Sequence, residues 1–144
     1  SFFLLSFPNS IKNNKSSVFI RTYFYICKVI QMRITGIKIL RKLQKKNIGN
    51  QKLCNEIDKL LSDLKTFVPD KQQIHEVRDD ADKVHGEGFY FFNINIHRTL
   101  ILIEFDDGGE ATIVWAGTHT EYETIFKNNK STIEKWLRSK GHID

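Results

Sequence analysis

A chain of 144 residues with 40% hydrophobic and 27% charged residues has the apolar content of an ordinary globular protein and room for one cored domain, not two. The formal charge of +5 invites a nucleic-acid reading, but residues 1–31 hold Lys12, Lys15, Arg21 and Lys28 and no acid, so the rest of the chain carries only +1. Two cysteines, Cys27 and Cys54, exclude a disulfide framework and suit a reduced, cytoplasmic setting, and no Cys/His spacing matches a zinc site, so no structural metal is expected.

The first segment, "SFFLLSFPNSIKNNKSSVFIRTYFYICKVIQ", shows no clear period. It lacks the basic start, single apolar core and small-residue cleavage site of a secretory signal. Its apolar run from Val18 to Ile30 is short and interrupted by Arg21 and Lys28, so no membrane span is expected there. Residues 1–31 are therefore read as a non-native or disordered extension with the natural start at Met32, and residues 32–144 as a single domain.

Within that domain Ile37, Leu40 and Leu43 recur among lysines and arginines as a short amphipathic helix, broken at Asn47–Asn50. Leu53, Ile57, Leu60, Leu61 and Leu64 predict a second helix with Asn50 as N-cap and Pro69 as stop. "GFYFFNI" (88–94), "TLILIEF" (99–105) and "ATIVWAG" (111–117) read as strands of an antiparallel meander, joined by a loose connection at 95–98 and a hairpin at Asp107-Gly108-Gly109. A further strand is expected within 74–84. The strands are apolar on both faces, so both faces need cover. Two helices supply one side; the other needs the C-terminal helix, a partner or a ligand. Ser131-Thr132-Ile133-Glu134 fits a capping box for that last helix, with Gly141 as its stop. The architecture is α+β: two N-terminal helices packed on a small antiparallel sheet, followed by a C-terminal helix.

Charge along the domain is sorted into blocks. Arg33 to Lys52 is wholly basic, Leu53 to Thr124 acidic, and the tail from Ile125 basic again. Such blocks suit docking to a polyanion and to an oppositely charged protein, or simply a solvated helix face.

The chemistry-bearing stretch is "WAGTHTEYE" (115–123). Thr118 with Glu121, and Thr120 with Glu123, each match a capping box, so a helix or turn starts at the strand's end. His119 sits at that seam, and Tyr122 follows three residues later on the same helical side. An imidazole beside a phenol can serve as general acid or base and as a donor to developing charge. The purely local alternative is that His119 caps or bonds nearby groups while Tyr122 packs beside Phe126 with its hydroxyl in water. His97 and Arg98 in the hairpin connection, and Lys83 and His85 before a strand, are weaker candidates. Asp79, Asp80 and Asp82 lack calcium-loop spacing.

The order helix, helix, strand ending "FNI" (92–94), apolar strand, DG hairpin, strand and "GTHTEYE" (117–123) resembles the HigB toxins of bacterial type II toxin–antitoxin systems, within the RelE/ParE superfamily. The start "MRI" (32–34) is similar too, and the resemblance runs over roughly 32–126. It implies a RelE-like fold and a cytoplasmic, cofactor-free mRNA endoribonuclease, in many members acting at the ribosome. It also implies a HigA-type helix-turn-helix antitoxin as partner. On the matching motif His119 and Tyr122 become the catalytic residues: His119 as general acid or base, Tyr122 positioning or stacking on RNA. Such sequences place arginines on the strands before Gly-Thr-His, whereas here Arg98 precedes the first of those strands and neither holds a base. Cationic support would come from Arg98, from Lys127, Lys130 and Arg138, or from the basic first helix. A ParE-type toxin that poisons gyrase by binding, and an inactive RNA- or protein-binding module, are the other functions the fold admits.

Overall fold

A computed structural model describes residues 31–144, so all but the last residue of the segment read as an extension lies outside the described residues. Within it the chain runs β1 (Arg33–Thr35), α1 (Ile37–Lys46), α2 (Gln51–Thr66), α3 (Ile74–Val77), β2 (Asp82–His85), β3 (Phe89–Ile94), β4 (His97–Glu104), a 3₁₀ turn at Asp106–Gly108, β5 (Glu110–Thr118), α4 (His119–Phe126) and α5 (Lys130–Ser139). No helix among the described residues is long and apolar enough to cross a membrane.

The five strands lie in the order β1-β5-β4-β3-β2. β2 through β5 form an antiparallel meander; the strand expected within 74–84 is β2, which covers only the end of that stretch and runs on to His85, while Ile74–Val77 is the helix α3. β1 was not anticipated: three residues are too short to show a period, yet they pair parallel with β5 and make the sheet mixed.

Alternation along β3 explains its aromatic content. Tyr90, Phe92 and Ile94 enter a core with Leu53, Ile57, Leu60, Leu61 and Leu64 of α2 and Leu40 of α1. Phe89 and Phe91 enter a second core with Tyr122 and Phe126 of α4 and Ile133 and Leu137 of α5. The C-terminal helices thus cover the second face. An irregularity between β4 and β5 serves this division: Leu100 pairs with Trp115 but Ile101 with Ile113, leaving Val114 as an extra residue. Val114 and Trp115 then both pack on the second core, while Ala116 returns to the first.

The helix ends follow their signals, with one exception. The Asn50 side chain accepts from Leu53 N at 3.1 Å, as expected of an N-cap. Thr118 and Glu121 form the reciprocal capping box of α4, each bond 3.0 Å. For α5 the expected box at Ser131–Glu134 is replaced by Asn129, whose side chain accepts from Thr132 N at 3.1 Å and starts the helix at Lys130. Asn and Ser are comparable caps, so local sequence ranks them poorly, and the left-handed pair Lys127 and Asn128 sets the earlier start. Gly141, at φ 77°, ends α5 as predicted, with His142 N bonded to Leu137 O at 2.9 Å.

Polar groups pin α2 to the sheet. Arg78, just after α3, donates to Asp80 at 2.7 Å, to Asp63 of α2 at 3.3 Å and to the Asn93 carbonyl of β3 at 3.1 Å. Its side chain is 12% exposed, and the two carboxylates hold the guanidinium above its ordinary pKa despite burial, which opposes this most strongly. Removing it leaves Asp80 with no cationic partner and Asp63 with only the exposed Lys59, so Arg78→Ala is expected to cost about 3 kcal/mol in denaturant unfolding.

The β1–α1 junction is held by Gly36, at φ +74°, where a Cβ would lie 2.4 Å from the Ile113 carbonyl oxygen. Gly36→Ala combines left-handed strain with a backbone clash, and a loss of about 2–4 kcal/mol is expected by the same measurement.

Candidate functional site

The end of the sheet where β3 turns into β4 and β5 runs into α4 gathers the predicted residues. The connection expected to be loose is tight: Ile94 pairs directly with His97, and only Asn95 and Ile96 lie between, with Asn95 at φ 63°. His97 and Arg98 are therefore strand residues, paired across β5 with Thr118 and Gly117. Arg98, expected just ahead of the strand, is the second residue of β4.

Alternation then sends Arg98 toward the second core. Its guanidinium lies over the Tyr122 ring, 4.4 Å from the centroid, a cation–π contact. His119, the first residue of α4, packs near-parallel to the same ring, 22° between planes with centroids 5.8 Å apart. The His119 amide donates to the Ile96 carbonyl at 3.1 Å, tying the helix start to the hairpin. Its Nε2 lies 3.4 Å from Glu123 Oε1, one turn on. The His119 side chain is 58% exposed.

Tyr122 itself is 1% exposed. Its hydroxyl donates to Asn128 Oδ1 at 2.8 Å rather than to water, and Phe91 meets its ring edge-on at 4.9 Å. Burial pushes the phenol above its ordinary pKa, against the pull of Arg98, so it stays protonated at neutral pH. A ring so enclosed cannot stack on a base without repacking. Tyr122 holds Arg98 and His119 in place, and the RNA-stacking role expected of it does not fit this position.

The other predicted cations lie elsewhere. Lys127 is the exposed C-cap of α4, next to the Asn128 that holds Tyr122. Lys130 faces the β2–β3 turn, lining a pocket with Lys83, Val84, His85, Gly86 and Glu134. Arg138 pairs with Glu134 at 3.2 Å and donates to the Asp144 carbonyl at 2.9 Å. Neither Lys130 nor Arg138 joins Arg98 and His119.

Those two instead line a pocket of about 400 Å³ with Asn93, Asn95, Ile96 and His97. His97, one of the weaker candidates in the sequence, is 5% exposed, and its Nδ1 is buried with no hydrogen-bond partner. Burial pushes its pKa below the ordinary 6.5, with the Glu121 carboxylate acting weakly the other way. The signal for it was the short gap after "FNI": a two-residue turn makes His97 a strand residue facing inward.

The geometry defines a small α+β protein with an exposed imidazole and an anchored guanidinium at the mouth of one pocket. Residues 56–125 match the family model HigB_toxin, described as the RelE-like toxic component of a toxin–antitoxin system. That match supports the resemblance to a HigB-type toxin, and a toxin of that kind has an antitoxin as its partner. The match runs from the middle of α2 into α4, so β1, α1 and α5 lie outside it. No curated protein and no solved structure matches the chain.

Two measurements test these assignments. Tyr122→Ala should cost about 3–5 kcal/mol by opening the second core, whereas Tyr122→Phe, losing only the bond to Asn128, should cost about 1 kcal/mol. For His97 the lowered pKa means that the unfolded chain binds the proton more readily. Stability is then fully present above the unfolded value and falls as pH drops below about 6.5. His97→Gln should flatten that acid-side slope in denaturant titrations between about pH 7.5 and 5.5.

Proposed function

We propose that the chain is a metal-independent mRNA endoribonuclease of the HigB kind. It acts in the cytoplasm, at the ribosome, and is neutralised by a HigA-type helix-turn-helix antitoxin. The observation that carries this reading is the stack of Arg98 on Tyr122 beside His119, which fixes a permanent cation next to an accessible acid–base group.

In such a reaction the ribose 2′-oxygen attacks the adjacent phosphorus, and the bond from phosphorus to the 5′-oxygen breaks. The proton on the 2′-hydroxyl must leave, and the departing 5′-oxygen must gain one. His119 serves as the general base or acid, oriented by Glu123. Arg98 carries the charge that builds on the non-bridging oxygens, and its bed on Tyr122 keeps it from relaxing away as that charge develops. Tyr122 is thus a positioning residue. Lys127, Lys130 and Arg138 would meet phosphates farther along the RNA.

Inducing residues 32–144 in bacteria should arrest growth and cut mRNA, with relief on co-expressing an adjacent helix-turn-helix gene. His119→Ala and Arg98→Ala, at unchanged stability, should each slow cleavage by about 10²–10⁴-fold, and Arg98→Lys should not restore it. Growth arrest by both alanine variants as strong as the parent's would remove these assignments. Intact transcripts with an induced DNA-damage response would mark a gyrase-directed toxin instead.

A further inference from the structure

A second cavity, of about 320 Å³, opens between α2 and the β3–β4 hairpin and shares Asn93 and Asn95 with the pocket beside His119. Its charged lining is Glu56 and Lys59 of α2 with Arg78, Asp79 and Asp80 from the stretch after α3. Among the described residues three buried side-chain polar atoms have no hydrogen-bond partner. Two of them, Glu56 Oε2 and Arg78 Nε, belong to residues that line this one cavity. Orphaned polar atoms in a native interior call for an explanation.

The cations of the cavity are already committed. Arg78 directs its terminal nitrogens to Asp63, Asp80 and the Asn93 carbonyl, and Lys59 pairs with Asp63 at 3.1 Å. Glu56 is left as one carboxylate too many, half-buried and without a cation. Asp79, exposed at the rim, has none either: among the described residues no ion pair includes Glu56 or Asp79. A carboxylate oxygen withdrawn from water without a donor is destabilising, and a cationic donor offsets this best.

The occupant is therefore a cation that donates hydrogen bonds. Both free carboxylates repel phosphate, and no three acidic, histidine or cysteine side chains among the described residues converge on a metal position. A guanidinium or ammonium on a flexible stem fits. It passes Asp79 at the rim, and Glu56 turns its inner oxygen toward it about a soft terminal torsion. A toxin of the kind the family model describes has an antitoxin as its partner. The shared wall at Asn93 and Asn95 sets whatever fills this cavity beside Arg98 and His119, where an antidote has reason to sit. We propose that the cavity seats a basic side chain of the antitoxin, an arginine or a lysine. The inference rests on the antitoxin partner and not on the nuclease chemistry.

Binding kinetics between the full chain and the protein of the adjacent helix-turn-helix gene test it. Glu56→Gln should raise Kd at least about thirtyfold, mainly through faster dissociation, because the incoming cation then stays buried without its counter-charge. Asp79→Asn, a rim change, should slow association about threefold and reduce its salt dependence, with dissociation unchanged. Glu56→Gln should also unfold no more easily than the parent, since the charge it removes is unpaired in the free protein. Both variants should arrest growth as the parent does, and only Glu56→Gln should escape relief by the antitoxin. Parent-like dissociation from Glu56→Gln would overturn the seat and leave water as its occupant. So would an effect of that variant confined to self-association in sedimentation, which would mark a second copy of this chain instead. A parent that fails to bind the antitoxin strikes the partner reading and the seat together. A chain that binds it and cuts no mRNA leaves the seat standing and strikes the nuclease reading.

Discussion

An inner strand with aromatic side chains on both faces has to be covered twice, and most of this molecule is the response to that demand. Phe89 and Phe91 point one way, Tyr90 and Phe92 the other, and each set draws its own helices: α1, α2 and α3 on one side, α4 and α5 on the other. Burying one face alone would leave several large rings in water, at a cost of roughly 1.5–3 kcal/mol each. The extra residue at Val114 adjusts β5 to the same requirement, because it lets two consecutive side chains serve the second core. The site inherits this geometry. Arg98 reaches Tyr122 because strand alternation sends it to the face that α4 covers, and α4 begins where β5 ends because Thr118 both closes the strand and caps the helix.

Much of this was readable from residue order, for identifiable reasons. The leucine stripe of α2, its Asn50 cap and the Thr118–Glu121 box are local signals that tertiary packing had no cause to override. The need to cover both sheet faces followed from the strands' composition, although composition could not say which helices would do so. What was hidden depended on contacts between distant residues. β1 exists because β5 offers it an edge, and its three residues have no period of their own.

The site was legible as chemistry and illegible as geometry. His119 and Tyr122 could be singled out together, and they do stack. Their division of labour could not be read, because nothing local reveals that Tyr122 is enclosed by Phe91 and Asn128. Arg98 was misplaced by one structural class: a loop assignment that was two residues too long removed it from the strand. His97 suffered the same error. Lys130 and Arg138 share the charge of the tail but not its position, since α5 packs across the sheet toward the β2–β3 turn.

The enclosure of Tyr122 has a consequence for anyone selecting attenuated forms of this protein. The ring belongs at once to the core and to the cluster that bears Arg98 and His119. Under the proposed mechanism, a genetic screen for survivors would gather substitutions at Tyr122, at Phe91 and at His119 under one phenotype, although the first two would remove protein and the last reactivity. Abundance in the cell would tell the groups apart. Only the second kind would leave an intact surface still able to titrate its antidote.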